Sequence, residues 1–444
     1  VRISPYIEAA QVLQAELHPG DDVLTYTQIA AGVDASIIGR NNGGSASLRY
    51  ERRFGWGRAS DSDVISGVAR GYATITPGVQ FEAGGLAART RVENTGSSTI
   101  APLSDSSNTS NVYSVFAGPS VSTHVGDIDV TGHYRIGYSK VESPDAVVTA
   151  PGQPPVDVFD DSVTHSANLH AGVKPGEVLP VGIGAGASYY REDVSNLDQR
   201  VEDFNARIDF TYPLTQSVAL VAGVGYENVE VSSRDAVRDA LGNPVLGADG
   251  RYVTDKSSPR VLAYDADGIT WDAGVIWKPS RRTALEAHVG RRYGSTSYYG
   301  SFAYAPNARS SLNVSVYDNV TGFGGRLNQS LAALPVEFQA NRNPLTGDIG
   351  GCVASLEGGS CLNDALGSVR SAAYRGRGVM ATYGHNFGRF SAGLGGGYDR
   401  RKYIGAAGTV LAPLNGLVEE NYWLNPYLTG RLGDRSTVSA NGYV

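Results

Sequence analysis

The strongest constraint on this chain is a two-residue rhythm of apolar and polar side chains, held over runs of about ten residues. Phe204, Ala206, Ile208, Phe210 and Tyr212 interleave with Asp203, Asn205, Arg207, Asp209 and Thr211. One set is apolar and the other polar. Val218, Leu220, Ala222, Val224 and Tyr226 continue the rhythm, as do Ile128, Val130, Tyr134, Ile136 and Tyr138. Val181, Ile183, Ala185, Ala187 and Tyr189 repeat it, and so do Leu312, Val314 and Val316. Successive strand side chains point to opposite faces, so each run is a strand with one apolar face. Soluble sandwiches alternate too, but with strands of about 5–6 residues whose apolar faces meet in a shared core. Runs of about 10 fit a tilted crossing of a bilayer.

Composition agrees. The chain has 56 Gly and 25 Tyr but one Met, and only 18% of its 444 residues are charged. That suits tightly packed strands and aromatic girdles rather than a soluble α/β protein. No run reaches the roughly 18 apolar residues of a membrane helix, and an alternating strand needs none. Thirty-seven basic and 44 acidic residues give a net charge of −7. No basic cluster dominates, which argues against a nucleic-acid partner. With Val1 first and no charged-then-apolar leader, the sequence reads as a mature chain after signal-peptide removal.

The connections alternate as well. Tight turns are expected at Gly39–Gly43, Thr76–Gly78, His124–Asp127, Lys174–Glu177, Leu214–Ser217, Lys278–Arg282, Pro306–Arg309, Asn386–Arg389 and Gly433–Arg435. Long connections are expected at Asn94–Ser110, Ser143–Asp161, Ser232–Asp267, Gly325–Arg375 and Gly405–Glu420. Outer-membrane barrels have short periplasmic turns and longer external loops. The count is roughly nineteen strands, where single-chain bacterial barrels have an even number, so the expectation is an all-β antiparallel transmembrane barrel of about 18–20 strands. Residues 1–444 read as one barrel domain whose last run, Ser436 to Val444, stops short of a full crossing and continues beyond the sequence. Tyr26, Tyr50, Tyr138, Tyr189, Tyr226, Tyr298, Tyr304, Tyr398 and Tyr422 are expected at headgroup level.

The physics selects this architecture. In hydrocarbon every backbone N–H and C=O needs an internal partner, and for period-2 segments only a closed sheet supplies one. Side chains alone cannot fill a barrel of about 18 strands, so it holds water, a plug or infolded loops. A wet lumen across a membrane is a route for solute.

The chain resembles the β-barrel porin-type outer-membrane proteins of Gram-negative bacteria. The resemblance lies in Ile3-Ser4-Pro5-Tyr6-Ile7-Glu8, Tyr50-Glu51-Arg52-Arg53, Val112-Tyr113-Ser114-Val115-Phe116-Ala117-Gly118-Pro119 and Tyr134-Arg135-Ile136-Gly137-Tyr138. It covers most of the chain diffusely and carries no catalytic signature. It implies a barrel in the outer membrane, in contact with lipid and lipopolysaccharide. Through members similar to exopolysaccharide proteins, it also implies an export role. The chain departs from the pattern by ending Gly442-Tyr443-Val444 rather than on an aromatic residue.

By alternation the inward charges are Arg49, Glu51, Arg53, Arg70, Asp129, Arg135, Asp203, Arg207, Asp209, Asp272, Glu286, Arg292, Asp399 and Arg401. They either set a selecting field across the pore or pair and brace its wall. Arg49, Glu51 and Arg53 share one face two residues apart, as an anion-attracting rung or as ion pairs. Cys352 and Cys361, the only cysteines, lie in the longest connection and are expected to form a disulfide. That connection, 325–375, is expected to narrow or cap the lumen or else to cover the rim, with a short helix within Leu327–Ala340.

His133, His170 and His288 fall on distant strands and read as solvated lumen residues rather than zinc ligands. Gly182-x-Gly184-x-Gly186 and Gly393-x-Gly395-Gly396-Gly397 lack the strand–loop–helix context of a phosphate loop. They read as small residues that permit close approach. Asp249-Gly250 and Asp265-Ala266-Asp267-Gly268 read as turns rather than a calcium site. No catalytic arrangement, metal site or cofactor motif assembles. The expected function is a porin-like channel for small hydrophilic solutes. The alternative is an export or docking component that passes a polysaccharide or meets a periplasmic or membrane partner, and an outer-membrane hydrolase ranks third.

Overall fold

The computed structural model describes residues 1–15, 23–57, 61–91, 109–142, 157–342, 349–354, 360–366, 369–433 and 437–441. The expected connections Asn94–Ser110 and Ser143–Asp161 lie mostly outside these residues, as do Arg435 and the terminal Gly442-Tyr443-Val444.

The strands follow the alternation. They are β1 Arg2–Ala15, β2 Val23–Ile38, β3 Asn42–Trp56, β4 Ser62–Thr76, β5 Val79–Arg91, β6 Thr109–Val125, β7 Ile128–Glu142 and β8 Asp161–Val173. Next come β9 Gly182–Val194, β10 Gln199–Pro213, β11 Val218–Ser233, β12 Val261–Ser280, β13 Thr283–Arg292, β14 Ser295–Asn307 and β15 Ser310–Thr321. A helix, α1 Phe323–Ala332, then leads to short strands β16 Gln339–Arg342, β17 Ile349–Ala354 and β18 Ser360–Cys361, and to α2 Asn363–Leu366. The chain ends with β19 Tyr374–Asn386, β20 Phe390–Tyr403, β21 Val418–Arg431 and β22 Thr437–Asn441.

All but β16–β18 form one 19-stranded sheet. Each strand pairs antiparallel with the next, and β15 pairs with β19 across the inserted segment. Among the described residues β1 pairs with β2 and β22 with β21. No described helix is long and apolar enough to cross a membrane.

The two faces differ as the sequence requires. On β10, Phe204, Ile208 and Phe210 are 42%, 49% and 44% exposed, although they are large apolar side chains. On β3, the interleaved Arg53 is 0% exposed and Glu51 1%. Apolar groups outside and charges inside invert a soluble protein. The sheet is rolled, because the segment between β15 and β19 touches β3 and β5–β9 on one side and β20 on the other. Only a wall that encloses it allows both.

The long connections share one end, together with the short links after β9 and β13, and the other end carries tight turns. At the turn end, positive φ at Gly78 (82°), Gly126 (61°) and Gly388 (92°) lets the chain reverse in minimal space. Exposed Tyr212, Trp277, Tyr304 and Phe387 lie near that end, and exposed Tyr50, Tyr138, Tyr189, Tyr226, Tyr298 and Tyr422 lie toward the other. Tyr398 joins the second row, its ring 4.8 Å from that of Tyr422.

Three expectations are corrected. Tyr26 is not in a girdle: it is 2% exposed, on the inner face, its ring 5.6 Å from the Arg53 guanidinium. Asp265–Gly268 is not a turn but part of β12, with Asp265 opposite Glu230 and Asp267 opposite Asn228. Twenty-residue β12 outruns the bilayer, so its outer portion lacks the apolar rhythm. Finally, α1 begins at Phe323, before the expected Leu327, and ends at Ala332. The physical reason for that early start is a wall carboxylate, described below.

Candidate functional site

The inner wall has two contrasting sectors. On β10–β13 it carries ionisable groups. Arg207 donates through Nε and Nη2 to both oxygens of Asp272, at 2.8 Å each. Asp272 Oδ2 lies 3.0 Å from His288 Nδ1, and Glu286 Oε1 lies 3.1 Å from His288 Nε2. The His288 ring stacks on Tyr299 at 4.5 Å. Toward the loop end Arg292 bridges Asp203 and Glu227, both at 3.1 Å. Asp209 pairs with His170 of β8 at 3.0 Å. Planar guanidinium forks suit this bidentate bracing.

The other predicted inward charges are also paired. Glu51 lies between Arg49 (3.1 Å) and Arg53 (2.5 Å), and Arg49 also meets Glu8 of β1. Arg70 and Arg135 both reach Glu82, at 3.4 and 3.3 Å. Asp129 pairs with Lys174 at 2.5 Å, near the turn end. Asp399 accepts from Arg401 Nε at 2.6 Å and from the Tyr317 hydroxyl at 2.6 Å. The strand glycines leave room for such neighbours: a Cβ at Gly223 would sit 2.2 Å from Arg207 Nε, and one at Gly393 2.3 Å from the Tyr427 ring.

On β4–β9 the loop-end half of the inner face is instead largely apolar, with Ser66, Ser114, Ser139 and Glu192 set between the apolar positions. Val68, Leu86, Ala88, Val112, Phe116, Val141 and Val194 form a buried cluster with Phe323, Leu327 and Leu331 of α1. Those helix positions recur every four residues, so they make one stripe against the wall. Each such side chain gains about 1.5–3 kcal/mol on full burial. Phe323 also meets Phe159, ring centres 5.0 Å apart.

Polar contacts fix the helix in place. Glu192 of β9 is fully buried and accepts from the backbone N–H groups of Gly322 (2.7 Å) and Gly325 (2.9 Å). A carboxylate there satisfies orphan donors and meets the positive end of the helix dipole. The capping group thus comes from the barrel wall, and the helix starts where that group is. Glycine is required: a Cβ on Gly325 would lie 1.6 Å from the Tyr190 hydroxyl. Asn328 donates to Ser139 Oγ at 3.0 Å, and Ser114 Oγ donates to Asn328 Oδ1 at 3.3 Å. Further along, the Phe338 N–H reaches Ser45 Oγ, and Arg342 donates to Ser47 and to Ser66 Oγ (2.7 Å).

Loop-end connections close over this segment. Asp157 accepts from Ser371 Oγ (2.7 Å), Asn196 Nδ2 (3.3 Å) and the Tyr252 N–H (3.3 Å). Arg251 donates to the carbonyls of Val141, Val158 and Phe159. Burial pushes the Asp157 carboxyl upward against these hydrogen bonds and the nearby Arg251 charge. Cys352 and Cys361 are direct cross-strand partners on β17 and β18; their side chains lie outside the described ones.

Sequence reasoning did not find Glu192, Asn328, Arg342 or Asp157. Its available signal was the run of apolar residues and serine at the loop-end inner positions of β4–β7, where neighbouring strands carry charge.

The described strands form an antiparallel β-barrel wall of the transmembrane kind, apolar outward and charged inward, with α1 of the same chain packed against its inner face. No family model matches the sequence, and no curated protein matches it. Solved structures of similar architecture include the alcaligin outer-membrane receptor FauA from Bordetella pertussis, 11% identical over 99% of this chain and 67% of the receptor, TM-score 0.41. The FrpB iron transporter from Neisseria meningitidis is 11% identical over 94% of this chain and 66% of its own, TM-score 0.43. The ferric-catecholate import receptor Fiu from E. coli K12 is 11% identical over 99% and 76%, TM-score 0.43. The chain thus spans about two thirds of the first two. At this level the likeness is one of barrel architecture and assigns no solute.

Proposed function

We propose that the protein is an outer-membrane passage for small hydrophilic solutes whose lumen is narrowed by α1 and the other described residues between β15 and β19. The observation that carries this is the burial of α1 and the following segment against the inner faces of β3–β9. The paired charges on β10–β13, with Arg207 and Arg292 partly exposed, serve as its polar lining, while the buried Arg49, Glu51 and Arg53 of β3 brace the wall. A disulfide between Cys352 and Cys361 would tie the β17–β18 hairpin within this segment, and free-thiol titration before and after reduction tests it.

Thr321 and Tyr374 are cross-strand partners, so a short Gly/Ser turn can join them in place of 322–373. In planar bilayers this variant should conduct at least about twofold more than the full chain, because a wide barrel without its filling holds water. Equal conductance would end the reading. A full chain already conducting like a wide open pore would return the plain porin. Silence in both, relieved by a partner extract, would favour the export role.

A further inference from the structure

Strand β12 outruns its neighbour on one side. Its pairing with β11 runs from Trp277 opposite Val218 to Val261 opposite Ser233, but its pairing with β13 reaches only to Trp271 opposite Arg291. Just beyond, β13 ends at Arg292 and the chain turns back into β14. Val261–Gly268 therefore has β11 along one edge, and among the described residues no backbone hydrogen bond reaches its other edge. Ile269, 75% exposed, is the cross-strand partner of the girdle residue Tyr226. The free edge thus stands above the hydrocarbon and is about 26 Å long, at about 3.3 Å per residue. An unpaired edge of this kind is a template for another strand.

The side chains beside the edge specify what that strand would carry. On the outer face Glu202 of β10, Glu230 of β11 and Asp265 of β12 are successive cross-strand partners, so a row of carboxylates ends at the free edge. Asp267 follows on the same face, one row nearer the membrane, and both aspartates are exposed. Arg191 lies 3.8 Å from Glu202. Asp267 accepts from the Tyr226 hydroxyl but, like Glu230 and Asp265, pairs with no cation among the described residues. Like charges directly opposite each other destabilise a sheet. A cation one strand further on relieves the row, because a directly opposed residue there has its Cβ about 4.5–5.5 Å from that of Asp265. Two copies of this chain side by side in one membrane would instead bring acidic rows together, which argues against self-pairing.

We propose that the free edge of β12 takes up an extended polypeptide segment as an added strand, with lysine or arginine at alternate positions beside Asp265 and Asp267. Main-chain hydrogen bonds supply the affinity of strand addition, and the alternate side chains supply its specificity. Gly268, with φ 153° and no atom within 4 Å of the place of a Cβ, leaves the membrane end of the edge open. The long-loop end faces outward in barrels of this kind, so the partner comes from outside the cell. This proposal is independent of what crosses the lumen.

The test is binding of a short peptide alternating lysine with threonine to the full chain in nanodiscs of phosphatidylcholine, read by fluorescence anisotropy and hydrogen exchange. Its arms are the same peptide with glutamate for lysine, and the lysine peptide with every backbone nitrogen methylated, which keeps the charge and removes the donors. The lysine peptide should bind and slow exchange of the amides within Val261–Gly268, and the other two should bind at least about tenfold more weakly. Asp265→Asn/Asp267→Asn should weaken the lysine peptide by a similar factor. Asp127→Asn/Glu177→Gln, with the same charge change in exposed turns at the opposite end, should not. Should the first double variant misfold, the three peptides compared on the unaltered chain still decide. Equal binding of the methylated peptide means charge attraction alone and overturns the proposal, as does unchanged exchange within Val261–Gly268. Slowing of the same amides by raised protein concentration alone, or by calcium ions alone, assigns the edge to a second copy or to a metal and overturns it as well.

Discussion

The inner wall on β4–β9 and the inner wall on β10–β13 sit on the same kind of strand yet are built oppositely. Both present apolar residues to lipid, such as Val115 and Ile136 on the first and Ile208 and Val224 on the second. Inside, the first shows Val68, Leu86, Val112 and Val141 to a helix of the same chain. The second shows Arg207, Asp272, Glu286 and Arg292 to each other and to the lumen. The outer face of a barrel strand answers to the bilayer, the inner face to what occupies the interior. An inner face that carries valine, leucine and serine where its neighbours carry charge therefore marks where an inserted segment docks.

The comparison predicts different failures. The largest effect belongs to the charged sector. Asp272→Ala removes the two-point partner of Arg207 and the Nδ1 partner of His288, leaving them only Asp209 at 3.7 Å and Glu286 at 3.1 Å, and should cost about 3–5 kcal/mol of barrel stability. Urea-induced loss of the heat-resistant barrel band would report it, while exchange of α1 amides in the native state should not change. If α1 loosens as much as the barrel, the sectors are not independent. Leu327→Ala, in the apolar sector, should cost about 2–5 kcal/mol of helix docking. Here proteolysis within 322–373 should quicken while the barrel midpoint stays fixed. A shifted barrel midpoint would mean that the helix holds the wall together.

Glu192→Gln is smaller. It keeps an acceptor for the helix N–H groups but loses the charge, so docking should weaken by about 1–3 kcal/mol. Hydrogen exchange at Gly322 and Gly325 reads this directly, and unchanged protection there would remove Glu192 from the account. The smallest effect is the pH response of the loop-end closure. The Asp157 carboxyl is raised in the folded protein, so the closure favours the protonated form. Its contribution is fullest below the ordinary aspartate range and falls as pH rises from there through the raised value. Exchange at the Tyr252 amide should therefore speed up across that window, and Asp157→Asn should flatten the response. A response of opposite sign contradicts the assignment.

Much of this architecture was legible in the sequence because the bilayer enforces it. Phe204-x-Ala206-x-Ile208-x-Phe210 has one workable orientation, and the tight turns follow from Gly78, Gly126 and Gly388. What lies beyond the bilayer was less legible. Asp265–Gly268 has the composition of a turn, yet β11 supplies its pairing partners and holds it as strand. Tyr26 matches a girdle tyrosine in type, but its parity along β2 turns it toward Arg53. The start of α1 depends on Glu192, distant in sequence, so no local capping signal revealed it. The inward charges were placed by parity alone, but which carboxylate meets which arginine depends on cross-strand register.

The central claim is that α1 lies inside the rolled sheet against β6 and β7. Asn328 Nδ2 is 3.0 Å from Ser139 Oγ. With Cys352 and Cys361 replaced by serine, Asn328→Cys and Ser139→Cys together should form a disulfide on mild oxidation in intact outer membranes, recovered as a linked peptide. A folded barrel whose introduced thiols stay unlinked and react with a bulky external reagent would place the helix outside and contradict the account.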